Sequence, residues 1–408
     1  MIYRLFPNPE LELATAPASR ERLVERGFER AYENAQEIGS DTVIQHIQAI
    51  RLGGRGGAAF PTARKWLSVK NEAESIKYVV MNADESEPGT FKDRELLLRD
   101  PLGPLTGLLI AASAVGAQQA YVYVRGEYRD VEIRIQEAIT VLAEAGWIGP
   151  GKVSIDVRRG AGAYIAGEET ALFNSIEGYR PEPRVKPPYP TAQGLFHKPT
   201  LIQNVETLAN IALLFAHDVD WFRAVGTDAT PGTKLVALSG HVANPGVYEV
   251  PFGIELGALI GDGQYGGGTG TGRPLKAVLM GGAAGTFITP QEAFEARLDY
   301  PDLAKFGAGV GSGAIMLFDS TADLGRILTG LARFFADESC GQCVPCRIGT
   351  KRILELLETQ RLWDRRADLK DLATAMTDAS ICGLGQTAAN ALVSAMNRPS
   401  LWNEPAAL

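Results

Sequence analysis

Apolar positions along this chain change their period several times, and each change marks a different kind of element. Up to about residue 50 they recur at helical spacing, most clearly in Val43-Ile44-Gln45-His46-Ile47-Gln48-Ala49-Ile50, so that stretch is predicted helical. The run Lys77-Tyr78-Val79-Val80-Met81 then reads as a short buried strand, with a helix over about residues 93–114. The alternation repeats with a strand over 120–125, a helix over about 130–145 and a strand over 153–158. A further helix opens at Gly167-Glu168-Glu169-Thr170, and another begins in Gln203-Asn204-Val205-Glu206-Thr207-Leu208-Ala209-Asn210. Strands separated by crossover helices predict an α/β parallel sheet, and in such sheets ligands bind beyond the carboxyl ends of the strands.

Around Gly232 the pattern shifts. Residues 235–242 and 246–250 read as a hairpin turning at Asn244-Pro245, and with 276–280 and 314–318 they predict a small mixed α+β domain. From Asp323 the period is helical again almost to the end, broken at a cysteine-rich loop and at Ile381-Cys382-Gly383-Leu384-Gly385. Three domains are expected, over residues 1–231, 232–320 and 321–408.

Composition narrows the class. A chain of 408 residues, 45% hydrophobic and 22% charged, can bury at least one large core. Its net charge of −8, with no long basic run, argues against a nucleic-acid partner. The longest apolar stretch, residues 105–117, is too short and too interrupted by glycine to span a bilayer. The start, Met1-Ile2-Tyr3-Arg4-Leu5-Phe6-Pro7, lacks the apolar core of a secretory signal. No direct membrane insertion is expected, and reduced cysteines committed to a metal fit a cytoplasmic location.

Those cysteines carry the most specific chemistry. Cys340, Cys343 and Cys346 stand at intervals of three in Ser339-Cys340-Gly341-Gln342-Cys343-Val344-Pro345-Cys346-Arg347, and Cys382 completes the set of four. Three thiolates from one tight loop and a fourth from a distant segment are how a chain wraps a [4Fe–4S] cubane. A structural zinc site is the alternative, although zinc usually takes its ligands in two pairs. Four unrelated core thiols would not fall into such a run.

Three loops offer a binding site. Gly53-Gly54-Arg55-Gly56-Gly57-Ala58-Ala59-Phe60-Pro61 lets a backbone approach a ligand closely, but its G-x-G-x-x-A match follows a helix instead of a strand and has little specificity alone. Asn82-Ala83-Asp84-Glu85-Ser86-Glu87-Pro88-Gly89-Thr90 and Gly160-Ala161-Gly162-Ala163-Tyr164 each follow a predicted strand, where a ligand belongs. The proline-rich run from Arg180 to Pro190 cannot be helix or inner strand, so it is read as a stiff lid presenting Lys186 and Tyr189. His46, His197, His217 and His241 are read as structural.

Taken together, Gly54 to Trp66, Asn82 to Thr90, Gly160 to Glu169, Val205 to Asn210, Ser239-Gly240-His241-Val242 and the cysteine loop with Cys382 closely resemble one family. It is the NADH- and FMN-binding subunit of NADH:quinone oxidoreductase, whose blocks also occur in diaphorase subunits of NAD-reducing hydrogenases and NAD-dependent formate dehydrogenases. The resemblance implies a Rossmann-like sheet with a glycine-rich flavin site, a ubiquitin-like β-grasp domain and a helical bundle holding the cluster. It implies FMN among Gly54, Arg55, Gly56, Lys65, Asn82, Asp84, Glu85, Tyr164, Gly167, Glu168, Asn204 and Thr207. NAD(H) would lie on the flavin against Phe60, Lys65, Glu87 and Glu169, with its adenine near Lys186 and Tyr189. Lys65 and Glu87 are thereby assigned to the catalytic centre. Implied partners are a [2Fe–2S] subunit and a larger iron–sulfur subunit of a membrane-associated complex.

The match has three departures. Ala59 replaces a usual glycine, Ala166 a usual cysteine, and Gln203 the first of a common Asn-Asn pair. An additional cysteine-rich N-terminal module found in some hydrogenase and formate dehydrogenase relatives is missing here, which leans the expectation toward the respiratory enzyme.

Overall fold

A computed structural model describes residues 3–7, 17–359 and 363–402. The expectation of helix over residues 1–2 and 8–16 lies outside them. Described helix begins with α1 (Arg20–Glu25) and α2 (Phe28–Ala49), the latter kinked at Gly39. Residues 4–6, predicted helical, are instead clasped in an irregular segment, with the backbone N–H groups of Arg4, Leu5 and Phe6 all donating to the Glu249 carboxylate.

After α3 (Thr62–Lys70) come β1 (Tyr78–Ala83), α4 (Lys92–Arg99), α5 (Leu102–Val115), β2 (Gln119–Val124), α6 (Arg129–Glu144), β3 (Ser154–Arg159), α7 (Glu169–Ile176), β4 (Thr200–Asn204), α8 (Val205–Ala216) and α9 (Val219–Arg223). The four strands form one sheet in the order β3-β2-β1-β4, and every pair is parallel. Two features depart from the pattern reading. The single helix expected over 93–114 is two, because Asp100 leaves helical dihedrals ahead of Pro101. Strand β4 has no counterpart in the apolar pattern, which reads its last residues as the start of a helix. Helix α5 is buried almost all round and meets α8 so closely that a Cβ at Gly107 would lie 2.0 Å from the Leu208 carbonyl oxygen.

The second sheet comprises β5 (Thr233–Gly240), β6 (Gly246–Pro251), β7 (Leu275–Met280), β8 (Thr286–Ile288) and β9 (Ala314–Asp319). Its order, β6-β5-β9-β7-β8, has an antiparallel hairpin at each end and a parallel β5–β9 pair between them, as in a β-grasp sheet. Short helices α10 (Leu256–Gly261), α11 (Pro290–Glu295) and α12 (Tyr300–Ala304) fill its connections. Helices α13 (Leu324–Glu338), α14 (Val344–Glu358), α15 (Arg366–Ala379), α16 (Gly383–Thr387) and α17 (Asn390–Met396) follow. No helix among the described residues is long and apolar enough to cross a membrane.

A buried ionic knot ties the two sheets together. Glu206 on α8 pairs with Lys92 on α4 at 2.9 Å and with Lys234 on β5 at 2.5 Å, and none of the three side chains is more than 1% exposed. Lys92 also meets Asp93 at 2.6 Å, and the second Glu206 oxygen accepts from the Leu235 N–H. Removing the shared anion would leave buried Lys234 without a carboxylate and Lys92 with Asp93 alone. Glu206→Ala is therefore expected to destabilise the protein by about 3–5 kcal/mol. A denaturant midpoint unchanged from wild type would show that the lysines find other partners.

Candidate functional site

The site is one continuous cleft at the carboxyl ends of β1 and β4. Asn82 and Asn204, register partners near the ends of these strands, face into it together. An inner cavity of about 310 Å³ lies between the acidic loop, Tyr164 to Glu168 and the start of α16. An outer cavity of about 680 Å³ runs between the first glycine loop, Lys65, Glu169, Lys186 and Tyr189. Gly56, Asn82, Gly167, Glu168 and Asn204 line both.

Local hydrogen bonds shape the inner wall. The Asn82 side-chain oxygen accepts from the Asp84 N–H at 3.1 Å, turning the chain off β1, and its amide donates to the Gly167 carbonyl at 2.8 Å. Gly167 fits tightly here, since a Cβ would sit 3.2 Å from the Asp84 carbonyl oxygen. Asn204 caps α8 by accepting from the Glu206 N–H and donates to Asp93 at 2.6 Å. Through Asp93 the cleft floor joins the ionic knot.

The acidic loop's three carboxylates have separate tasks. Asp84 accepts from Ser86 through one oxygen, while its other oxygen is buried without a partner, and burial pushes its pKa up to about 7. Glu85 accepts from the Asp93 and Arg94 N–H groups at 2.9 Å each and so caps α4. Glu87 accepts from the Ala284 N–H at 3.0 Å and thereby reaches the second sheet; burial raises its pKa.

At the outer cavity, Glu168 caps α7 by accepting from the Thr170 and Ala171 N–H groups. Lys186 bridges Glu168 and Glu169 at 2.8 Å each, and Lys65 approaches Glu169 at 3.4 Å while donating to the Ile202 carbonyl. Burial would raise the Glu169 pKa, but the two lysines outweigh it and hold the group ionised, below the usual range. Phe60 and Tyr189 stand at the mouth, 45% and 61% exposed.

Arg55 is the residue not brought into the cleft by its side chain. Its N–H donates to Thr207 Oγ1 within the loop, but its buried guanidinium lies over the Phe252 ring, 4.6 Å from the centroid, and points to the Pro231 carbonyl. Ala166 packs in the core with Leu172 and Phe173 instead of facing the cavities. Gln203 does line the outer cavity, and its buried amide nitrogen has no partner. Ser312 and Leu384 line the inner cavity from the turn before β9 and from α16, contributions with no local sequence signal.

The four cysteines line one small cavity together with Ile165, Ser339 and Leu384. Cys343 stands at the N-cap position of α14, Cys346 lies in its first turn, and Cys382 stands at the N-cap position of α16. Burial pushes the Cys382 thiol up to about 11 and raises Cys346 as well. The Ser339 hydroxyl lies 3.3 Å from Cys346 Sγ. Ile165 and Leu384 line both this cavity and the inner cleft, so two side chains form the partition.

The residues present fit a flavin and a cluster. Asp84 and Gln203, each with a buried unpaired polar atom, line the cleft, glycines open its walls, and four thiols line the adjoining void. Residues 47–213 match the Nuo51 FMN-binding domain, and 326–398 match the NADH-ubiquinone oxidoreductase-F iron-sulfur binding region. An F-type NADH-quinone oxidoreductase subunit of Rhizobium meliloti (strain 1021) is 40% identical over 382 residues, covering 91% of this chain and 90% of the relative. Its counterpart in Escherichia coli (strain K12) is 40% identical over 346 residues, covering 81% of this chain and 76% of the relative. NADP-reducing hydrogenase subunit HndC of Solidesulfovibrio fructosivorans is 39% identical, covering 90% and 77%. A chain in the crystal structure of an H2-reduced NAD+-reducing [NiFe]-hydrogenase superposes with a TM-score of 0.84 at 36% identity, over 98% of this chain and 68% of that one. With two cavities sharing one partition and both family regions in order, the chain belongs to the NADH-quinone oxidoreductase-F family.

Proposed function

We propose that this chain is the electron-input subunit of a multi-subunit oxidoreductase, taking hydride from NADH at the cleft and delivering single electrons through the cysteine-held cluster. The observation that carries this reading is that Ile165 and Leu384 line both the cleft and the cysteine cavity, which supports a hydride-accepting site next to a one-electron site. FMN, when bound, supplies the conversion from hydride acceptance to single-electron release.

The chain's own residues bind and orient. Asp84, with one buried oxygen unpaired, accepts a ligand hydrogen bond, and Gln203 donates one from its unpaired amide. Gly54, Gly56, Asn82, Gly167, Asn204 and Thr207 hold the flavin edge, while Tyr164 closes the side toward the cluster. Lys65 and Glu87 flank the nicotinamide, and the Glu168–Lys186–Glu169 bridge meets the adenosine half. Cys340, Cys343, Cys346 and Cys382 bind the [4Fe–4S] cluster. We assign domains to residues 1–231, 232–320 and 321–408, an assignment supported by the parallel sheet, the mixed sheet and the later helices falling within them in turn.

We assign the host as a respiratory NADH:quinone oxidoreductase, with a [2Fe–2S] subunit and a larger iron–sulfur subunit as partners on the cytoplasmic side of a membrane. The hydrogenase diaphorase reading is the second one, favoured by the 0.84 TM-score to an NAD+-reducing hydrogenase chain. Copurifying subunits discriminate the two. The visible spectrum of the purified protein tests the shared core: flavin bands over a broad iron–sulfur shoulder are expected, and a colourless zinc protein would overturn it.

Tyr189, exposed among prolines at the mouth, is assigned to stacking on the adenine. Tyr189→Ala should raise KM for NADH more than it lowers kcat, the mark of binding lost equally from ground and transition states. An unchanged KM would leave residues 180–190 as a plain connection.

A further inference from the structure

The partition between the cavities is not held by its own packing alone. Ile165, 5% exposed, supplies one face of it, and its neighbour Tyr164 is fastened across to α13. The Tyr164 N–H donates to the Glu338 carboxylate at 2.7 Å, and the Tyr164 ring packs against Phe334 with centroids 5.2 Å apart. Glu338 is the last residue of α13, and the next residue, Ser339, contacts Cys346 Sγ at 3.3 Å. Two consecutive residues thus grip opposite sides: one holds the flavin-side loop, the other a cluster ligand. Arg180 adds a second link by donating to the Cys340 carbonyl at 2.9 Å, but from an exposed side chain.

We propose that Glu338 is a positioning residue that fixes the thickness of the Ile165–Leu384 partition, and so sets the rate at which electrons cross from the cleft to the cluster. The proposal rests on the electron-input reading above. Electron transfer through protein falls steeply with separation, so a loop displacement too small to disturb either cofactor site is large for the step between them. NADH gives up two electrons and one proton as hydride and leaves as NAD+. A cluster held by the four cysteines would accept one electron at a time, each passed on to a one-electron acceptor before the next could cross. Glu338 changes neither count. It holds the Tyr164 N–H, and with it the backbone carrying Ile165, in one place relative to Cys346.

The two roles available to Glu338, a tether and a negative charge, separate by substitution. Glu338→Gln keeps a side-chain oxygen that can accept from Tyr164 N–H but removes the charge; Glu338→Ala removes both. Each protein, loaded with FMN and iron, is mixed with NADH while flavin bleaching is followed optically and cluster reduction by rapid-freeze EPR. Glu338→Ala should retain wild-type FMN, iron and bleaching rate but reduce its cluster several-fold more slowly, with midpoint potentials unmoved. Glu338→Gln should restore most of the rate. A wild-type cluster reduction rate in Glu338→Ala overturns the proposal, as does an equal slowing in Glu338→Gln or a slowing explained by a shifted potential. Should Glu338→Ala fail to load its cofactors, Glu338→Asp carries the same test, because it keeps the charge and shortens the reach; wild-type transfer in it overturns the tether. Failure of the electron-input reading looks different: the wild-type protein itself would show no NADH-dependent bleaching.

Discussion

Replacing Cys382 by serine should strip nearly all iron and acid-labile sulfide from the protein while leaving FMN in place. Cys340, Cys343 and Cys346 come from one loop and the first turn of α14, so three ligands can survive as a unit. The fourth comes only from the N-cap of α16, and no other cysteine exists in the chain to replace it. Serine is a poor substitute: its hydroxyl ionises far less readily than a thiol, and burial at this position already disfavours the anion. Bleaching of the flavin by NADH should continue, because hydride transfer precedes the cluster, but transfer to a one-electron acceptor through the cluster should stop. Iron and sulfide remaining at the full complement in Cys382→Ser would remove it from the ligand set.

The second large effect is on coenzyme choice. NADPH differs from NADH by a phosphate on the adenosine ribose, and a fixed carboxylate nearby repels it while accepting from the free 2′-hydroxyl of NADH. Glu169 is assigned that role. Its environment sharpens the expectation, since Lys65 and Lys186 both pair with it. Glu169→Gln removes the repulsion and leaves Lys65 without its carboxylate partner, while Lys186 keeps Glu168. NADPH efficiency relative to NADH should rise by roughly tenfold or more, one decade being ~1.4 kcal/mol. Steady-state kinetics of both coenzymes on both proteins measure it, and an unaltered ratio would put selectivity elsewhere.

Long periodic stretches made much of this architecture readable. The βαβ alternation and the terminal helices lie where apolar spacing put them, because each element buries one face against a core its own sequence advertises. Strand β4 escaped for a physical reason. It is five residues long, buried almost throughout, and runs straight into the cap of α8, so Gln203-Asn204 look like the opening of a helix. The α4–α5 break was marked by Pro101 but masked by the apolar run behind it. At the site, the loops and cysteines were visible as motifs. The direction of Arg55 was not, since the Phe252 ring that receives its guanidinium belongs to the second sheet's body, far along the chain. The Ile165–Leu384 partition was hidden likewise: each is an ordinary apolar residue, and only tertiary placement makes them neighbours.

The ionic knot also decides how coenzyme reaches the flavin. Many enzymes admit substrate by swinging two lobes apart about a hinge. Here the sheet that carries the cleft and the sheet that flanks it are joined at the root by Glu206, Lys92 and Lys234, and again at Glu87 and Ala284. Prising them apart would leave desolvated charges unpaired, at several kcal/mol for each pair broken. The lobes therefore act as a fixed jaw. What is left free to adjust is the rim, where Phe60 and Tyr189 stand in solvent in front of a frame held by buried charge pairs.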